Sequence, residues 1–330
     1  MLEHGGNLQQ AAARYGRPVE QWLDLSTGIN PQHYPIPPLA SALFQRLPAM
    51  EDGLQASARS FYGATHILPC AGSQAALQVL PSLRPACRVA MPRTMYQEHA
   101  HAWQRAGHDV QFFDQQPDSD ILNTADVLLL CNPNNPTGQL YPVDLLLDWH
   151  AQLSARGGWL VVDEAFMDTT PQSSLASHSG QPGLWILRSL GKFFGLAGLR
   201  VGFLLGEPTG LAQVESLLGP WTIAGPSRHI AQIALEDTDW QQHMREHLPA
   251  QSRQLLQLLN QYGFNPVGAT DLFQYVQDAA SHQLQDALAK EGVWTRYFES
   301  PQALRFGLPP VTEWSRLEQA LAKASVKVTD

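Results

Sequence analysis

The chain has 330 residues, 44% hydrophobic and 15% charged, a balance that argues against disorder and allows a large, well-buried domain plus a smaller one. Its 30 acidic residues against 21 basic ones leave a formal net charge of −9, which suits neither nucleic acid nor an anionic membrane face. An anionic ligand would need a local cluster of arginines. Cys70, Cys87 and Cys131 show no metal or disulfide spacing and are expected to be reduced thiols of a cytoplasmic protein. The opening stretch from Met1 to Asn7 has no apolar run, so no signal peptide is expected, and apolar runs such as Val127–Cys131 are too short for a bilayer.

In chain order, strands are predicted at 88–91, 110–113, 126–131, 159–162, 184–188 and 200–205. Helices are predicted between them, at 75–83, 95–106 and 143–155. Runs rich in valine and leucine without polar alternation suggest strands covered on both faces. Their alternation with helices predicts an α/β architecture with a mainly parallel central sheet. The last third differs: a long helix at about 228–262, strands at 272–276, 292–295 and 303–306, and helices at 282–290 and 313–324. That pattern predicts a smaller α+β domain. The expected division is a large domain of residues 32–220, with 1–31 and 221–330 forming the small one.

Three segments carry the chemistry. In Arg188-Ser-Leu-Gly-Lys192-Phe-Phe-Gly-Leu-Ala-Gly-Leu-Arg200, a lysine stands in an apolar, glycine-rich setting between two strands. Burial or neighbouring cations would lower its pKa and leave a nucleophilic amine able to form a Schiff base. In Trp159-Leu-Val-Val-Asp163, an aspartate ends a buried strand, where open α/β sheets gather their ligands. A carboxylate there can pair with a protonated pyridine nitrogen. In Asn132-Pro-Asn-Asn135-Pro136-Thr-Gly138, two Asn-Pro steps and a glycine make a rigid loop directly after a core strand. A fourth segment, Gly72-Ser73-Gln74, reads as a glycine turn opening a helix, whose free amides suit an anion.

In this order, the segments resemble the fold-type-I pyridoxal-phosphate family of aspartate and histidinol-phosphate aminotransferases, from about residue 25 to 306. The resemblance implies the aspartate-aminotransferase-like fold and pyridoxal 5′-phosphate as cofactor. It implies that Lys192 holds the cofactor covalently, Asp163 pairs with the pyridine nitrogen and Asn135 bonds the ring's 3′ oxygen. Ser189 and Arg200, with Gly72, Ser73 and Gln74, match the family's phosphate ligands, and Tyr96 matches the aromatic stacked on the ring. At least one of the Asn132–Pro133 and Asn135–Pro136 bonds is expected to be cis. One departure stands out: Phe166 occupies a position where these aminotransferases usually carry a tyrosine.

The opening His4-Gly5-Gly6-Asn7 and the stretch Leu23-Asp-Leu-Ser26-Thr-Gly-Ile-Asn30-Pro31 resemble one branch of this family. That branch decarboxylates L-threonine O-3-phosphate to (R)-1-amino-2-propanol O-phosphate in cobalamin biosynthesis. The resemblance implies that Arg305 binds the substrate carboxylate through its bidentate guanidinium. It makes His4, Gly5, Gly6, Asn7, Asn30 and Arg296 candidates for the rest of the substrate, with the opening residues as a lid. It also implies a homodimer. A histidinol-phosphate-type aminotransferase and a non-catalytic pyridoxal-phosphate-binding regulator remain the rival readings. No metal is expected, since His99-Ala-His101 lacks a further ligand at suitable spacing, and Gly195-x-x-Gly198-x-x-x-Gly202 lacks a dinucleotide fingerprint.

Overall fold

Buried apolar runs become the strands of a seven-stranded sheet. In a computed structural model, which describes residues 4–329, they are β1 (Ile67–Cys70), β2 (Arg88–Pro92), β3 (Asp109–Phe113), β4 (Val127–Cys131), β5 (Trp159–Asp163), β6 (Leu184–Ser189) and β7 (Gly202–Leu205). The sheet order is β1-β7-β6-β5-β4-β2-β3. Strands β2 to β6 run parallel, whereas β7 is antiparallel to both β6 and β1. The five residues of β4 are almost wholly buried, as a parallel strand covered on both faces requires. In this sheet, expected strands and observed ones agree to within one or two residues, except for the missing β1; outside it, strands Leu23–Asp24, Pro266–Thr270 and Arg296–Phe298 were not expected. Pro69 hides β1: proline has no N–H for a ladder and is tolerated on an edge strand, which β1 is.

The chain divides into two compact units. One comprises His33–Asn135 and Leu140–Gln242 and contains the large sheet. The other comprises the residues up to Gln32, Pro136–Gln139 and everything from His243. Residues 221–242, expected with the small domain, therefore belong with the sheet. Helix Gly225–Glu236 packs on helix Leu54–Tyr62, and Arg228 grips the Asp52 carboxylate through Nε at 2.6 Å and Nη2 at 2.7 Å. The long helix expected at 228–262 is two helices, Gly225–Glu236 and Thr238–Gln261. Asp237 separates them because its Oδ1 accepts the Trp240 amide at 3.0 Å, an N-cap that starts a new helix.

The second unit holds a four-stranded antiparallel sheet ordered Arg296–Phe298, Ala303–Gly307, Phe273–Gln277, Pro266–Thr270. A two-stranded parallel ribbon pairs Leu23–Asp24 with Val293–Trp294. The loop residues Pro136–Gln139 join this unit because Gly268 lets strand Pro266–Thr270 lie on Thr137: a Cβ there would sit 1.8 Å from the Thr137 carbonyl oxygen. Helix Leu8–Tyr15 starts where Asn7 accepts the Gln10 amide at 3.2 Å. No helix among the described residues is long and apolar enough to cross a membrane. Cys70, Cys87 and Cys131 are free thiols.

Candidate active site

Parallel strands deliver their carboxyl ends to one edge of the sheet, and β4, β5 and β6 bring Cys131, Asp163 and Ser189 there. Cys131 pairs in register with Asp163, and Ser189 with Gly202 at the start of β7. Cys70, which ends β1, also pairs with Gly202. The turns that follow these strands wall a cavity of about 160 Å³. It gathers all nine residues expected to hold a cofactor: Gly72, Ser73, Gln74, Tyr96, Asn135, Asp163, Ser189, Lys192 and Arg200. Pro133, Ala165, Phe166 and Cys131 complete the wall.

Each residue has a local reason for its place. The Asn132–Pro133 bond is cis, as expected. The Asn132 side chain closes the loop by accepting the Tyr141 amide at 2.8 Å and donating to the Tyr141 carbonyl at 3.2 Å. Asn134 donates to the Thr94 carbonyl at 2.8 Å. Asn135 is left to line the cavity. Gly202 lies so close to the Gly72 turn that a Cβ would meet the Ser73 nitrogen at 2.2 Å and the Arg188 carbonyl at 2.8 Å. A Cβ on Gly72 would meet Arg200 Nη2 at 2.7 Å, so the guanidinium rests against the bare turn. Arg200 itself adopts a left-handed backbone, φ 55°. Ser189 Oγ accepts the Gly191 amide at 3.2 Å, which shapes the turn ahead of Lys192.

Asp163 is buried, with Oδ1 accepting the Ala165 amide at 3.0 Å and Oδ2 held by His99 Nε2 at 2.9 Å. His99 is the residue that sequence reasoning missed. No local signal marked it; in the fold its ring meets that of Tyr96, which lies just before helix Glu98–Arg105, edge to face at 6.0 Å. Tyr96 donates to Gln74 Oε1 at 3.2 Å, and burial, followed by the charges of Glu98 and Asp163, raises its pKa and keeps the hydroxyl protonated. Burial and the Asp163 charge likewise hold the Cys131 thiol protonated, so it is no nucleophile. The backbone amides of Tyr96 and Asn135 pull the other way, but burial outweighs them.

Behind the wall, Arg188 is buried between Glu164 and Asp168, donating to both carboxylates. Burial disfavours its charge, but Asp168 and Glu164 outweigh that and raise its pKa. Glu164 follows Asp163 and Arg188 precedes Ser189, so this pairing ties together the strand ends that carry two cavity residues.

The substrate candidates His4, Gly5, Gly6, Asn7, Asn30, Arg296 and Arg305 all lie in the other unit. Arg296 and Arg305 stand directly opposite each other on paired strands. Arg305 is buried, donates through Nη2 to the Ser26 carbonyl at 2.5 Å, and has its pKa pulled down to about 10 by burial and then by Arg296, with Asp24 pushing back. Like charges directly opposite on a sheet are unfavourable without an anion to share. Asn30 is buried and turns the chain, its Oδ1 accepting the Gln32 amide at 2.9 Å and its Nδ2 meeting the Met244 sulfur at 3.6 Å. The Asn7 side chain is the helix cap already described. Met1 to Glu3, part of the expected lid, lie outside the described residues.

The cavity offers a complement to every polar part of pyridoxal phosphate. Arg200, Ser189 and the amides after Gly72 suit the phosphate, Lys192 the aldehyde, Asn135 the ring oxygen and Asp163 the ring nitrogen, with Tyr96 as an aromatic wall. The donor set therefore fits that cofactor. The chain belongs to the class I and II aminotransferase family, whose model matches residues 45–324. It is 52% identical to threonine-phosphate decarboxylase of Pseudomonas aeruginosa over 322 residues, covering 97% of each chain. It is 39% identical to threonine-phosphate decarboxylase of a Sinorhizobium species, covering 98% of each. Its fold matches that of histidinol-phosphate aminotransferase from Sinorhizobium meliloti in complex with pyridoxal-5′-phosphate, with a TM-score of 0.80, 19% identity and 99% of each chain covered.

Phe166, in the tyrosine's place, lines the same cavity, and Lys192 Nζ lies 5.2 Å from its ring centre. Phe166→Tyr is expected to bind the cofactor normally and to lower the pH midpoint of its absorption change. A hydroxyl donating to the ring oxygen favours the anionic form. A spectroscopic titration checks this, and an unchanged midpoint would show that position 166 does not face the ring oxygen.

Proposed function

We propose that this chain is a pyridoxal-phosphate-dependent decarboxylase of L-threonine O-3-phosphate, yielding (R)-1-amino-2-propanol O-phosphate and carbon dioxide in cobalamin biosynthesis. The observation that carries the reading is the convergence of Lys192, Asp163, Asn135, Ser189 and Arg200 on one cavity. Threonine-phosphate decarboxylases that match the chain end to end set the choice within the family.

When bound, the cofactor supplies an electron sink for the pair left behind as the bond from Cα to the carboxylate breaks. Asp163 keeps the ring nitrogen protonated, and His99 fixes which way that carboxylate points. Arg305 holds the substrate carboxylate by a bidentate fork, with Arg296 and residues 4–7 as donors to the phosphate. By fixing the carboxylate, Arg305 would set which bond at Cα is presented for cleavage, and so would decide between losing carbon dioxide and losing a proton. Lys192 Nζ, which lines the same cavity, would hand Cα the proton that replaces the carboxylate.

The same reading makes the protein a cytoplasmic homodimer. Support comes from Ile36, Phe44, Leu47 and Met50, apolar side chains that are 48–68% exposed within one short segment of the chain and that a second copy would cover.

The test is incubation with L-threonine O-3-phosphate and pyridoxal phosphate, with no keto acid present. Carbon dioxide and the amino alcohol phosphate are expected in equal amounts. Turnover that depends on a keto acid and releases no carbon dioxide would make the chain an aminotransferase instead.

A further inference from the structure

We propose that Ser26 is a positioning residue that ties residues 4–7 to Arg305. The opening segment would then be held while the arginine carries the substrate carboxylate, and let go once that carboxylate leaves as carbon dioxide. The inference rests on the decarboxylase reading and adds to it a coupling between two substrate contacts.

Ser26 is fully buried and bonded on every side. Its Oγ accepts the Gly6 amide at 2.7 Å and donates to Asp24 Oδ1 at 2.6 Å, while its own amide donates to the same oxygen at 2.8 Å. Its carbonyl accepts from Arg305 Nη2 at 2.5 Å. One residue thus bonds the opening segment through its side chain and the arginine through its backbone. The glycines make the approach possible. A Cβ on Gly5 would lie 2.3 Å from the Ser26 carbonyl oxygen, the very atom that Arg305 grips, and Gly6 has a left-handed φ of 84°.

The strip around Ser26 cannot shift alone. Leu25 donates to the Trp294 carbonyl at 2.7 Å and accepts the Gly307 amide at 2.7 Å, which anchors it to the strand that carries Arg305. A change in how the Arg305 guanidinium sits is therefore passed to Ser26 rather than absorbed by a loose loop. Arg296 supplies the force, because it stands in register opposite Arg305 and repels it. A substrate carboxylate held by Arg305 adds to the Asp24 charge in offsetting that repulsion and steadies the guanidinium against the Ser26 carbonyl. Its departure restores the repulsion and weakens that anchor. Coupling of this kind is reciprocal: whatever order the carboxylate adds to the segment, the segment returns as carboxylate affinity. The product keeps the phosphate and lacks the carboxylate, so it gains nothing from the link and leaves more easily.

The test compares the wild-type holoenzyme with Ser26→Ala and Gly5→Ala, the latter keeping the Ser26 side chain and breaking the contact from the other side, since its methyl group cannot sit against the Ser26 carbonyl. Both variants should raise KM for L-threonine O-3-phosphate about tenfold, within the usual range of coupling between sites. The cofactor absorption and kcat should stay close to wild type. The inhibition constant of (R)-1-amino-2-propanol O-phosphate should rise clearly less than KM, because that molecule keeps the phosphate that residues 4–7 meet but has no carboxylate to couple. A wild-type KM in Gly5→Ala, or KM and the product constant rising by the same factor in either variant, overturns the coupling. If Ser26→Ala fails to fold, Gly5→Ala decides alone. A wild-type enzyme that releases no carbon dioxide would instead defeat the decarboxylase reading, a separate result.

Discussion

Lys192→Ala is expected to abolish decarboxylation, a loss on the order of 10⁶-fold, the low end of enzymatic rate accelerations. The absorption band of the covalently held cofactor should vanish with it. The fold should survive, because Lys192 is only half-buried, in a turn after β6. Its amine lines the cavity with Asp163, Asn135 and Arg200, and alanine leaves the rest of that wall in place. Carbon dioxide release, the absorption spectrum and the thermal unfolding midpoint together check the prediction. Covalent trapping of the cofactor on a different lysine in this variant would overturn the assignment.

Asp163→Asn should keep the cofactor and lose turnover by about 100-fold or more. Asparagine has the size and shape of aspartate, so the Ala165 amide and His99 can still be met. What disappears is the negative charge that holds the ring nitrogen protonated. A hydrogen bond to a charged group contributes about 1.5–3 kcal/mol, which alone corresponds to roughly 10–100-fold in rate. The loss should fall on kcat, with the cofactor's dissociation constant changing far less. Near-normal kcat in a correctly folded variant would remove Asp163 from this role.

Local patterns made much of the site legible before any coordinates. A lysine three residues after a serine at a strand end, an aspartate closing a valine-rich strand and a doubled Asn-Pro loop are each contained within a dozen residues. Strand ends and tight turns place such side chains by local geometry, so the spacing along the chain already implied their exposure at one sheet edge. Gly72, Ser73 and Gln74 were readable for the same reason, as a turn that opens a helix. The partners of these residues were not. His99 lies 64 positions from Asp163, and nothing local distinguishes it from His101, its neighbour but one.

What the sequence determined by itself is therefore the inventory of chemistry: the amine, the carboxylate, the amide, the anion turn, and the alternation of strand and helix that carries them. These follow from short-range sterics and from the periodicity of apolar residues. The tertiary structure alone decided which distant groups meet. It set Arg296 against Arg305 by strand register, seated Gly5 on Ser26, brought Gly202 within a Cβ's width of the Ser73 amide, and gave residues 221–242 to the larger unit. Each of these depends on the pairing of segments far apart in the chain, and a one-residue slip in register would send every side chain of a strand to the opposite face.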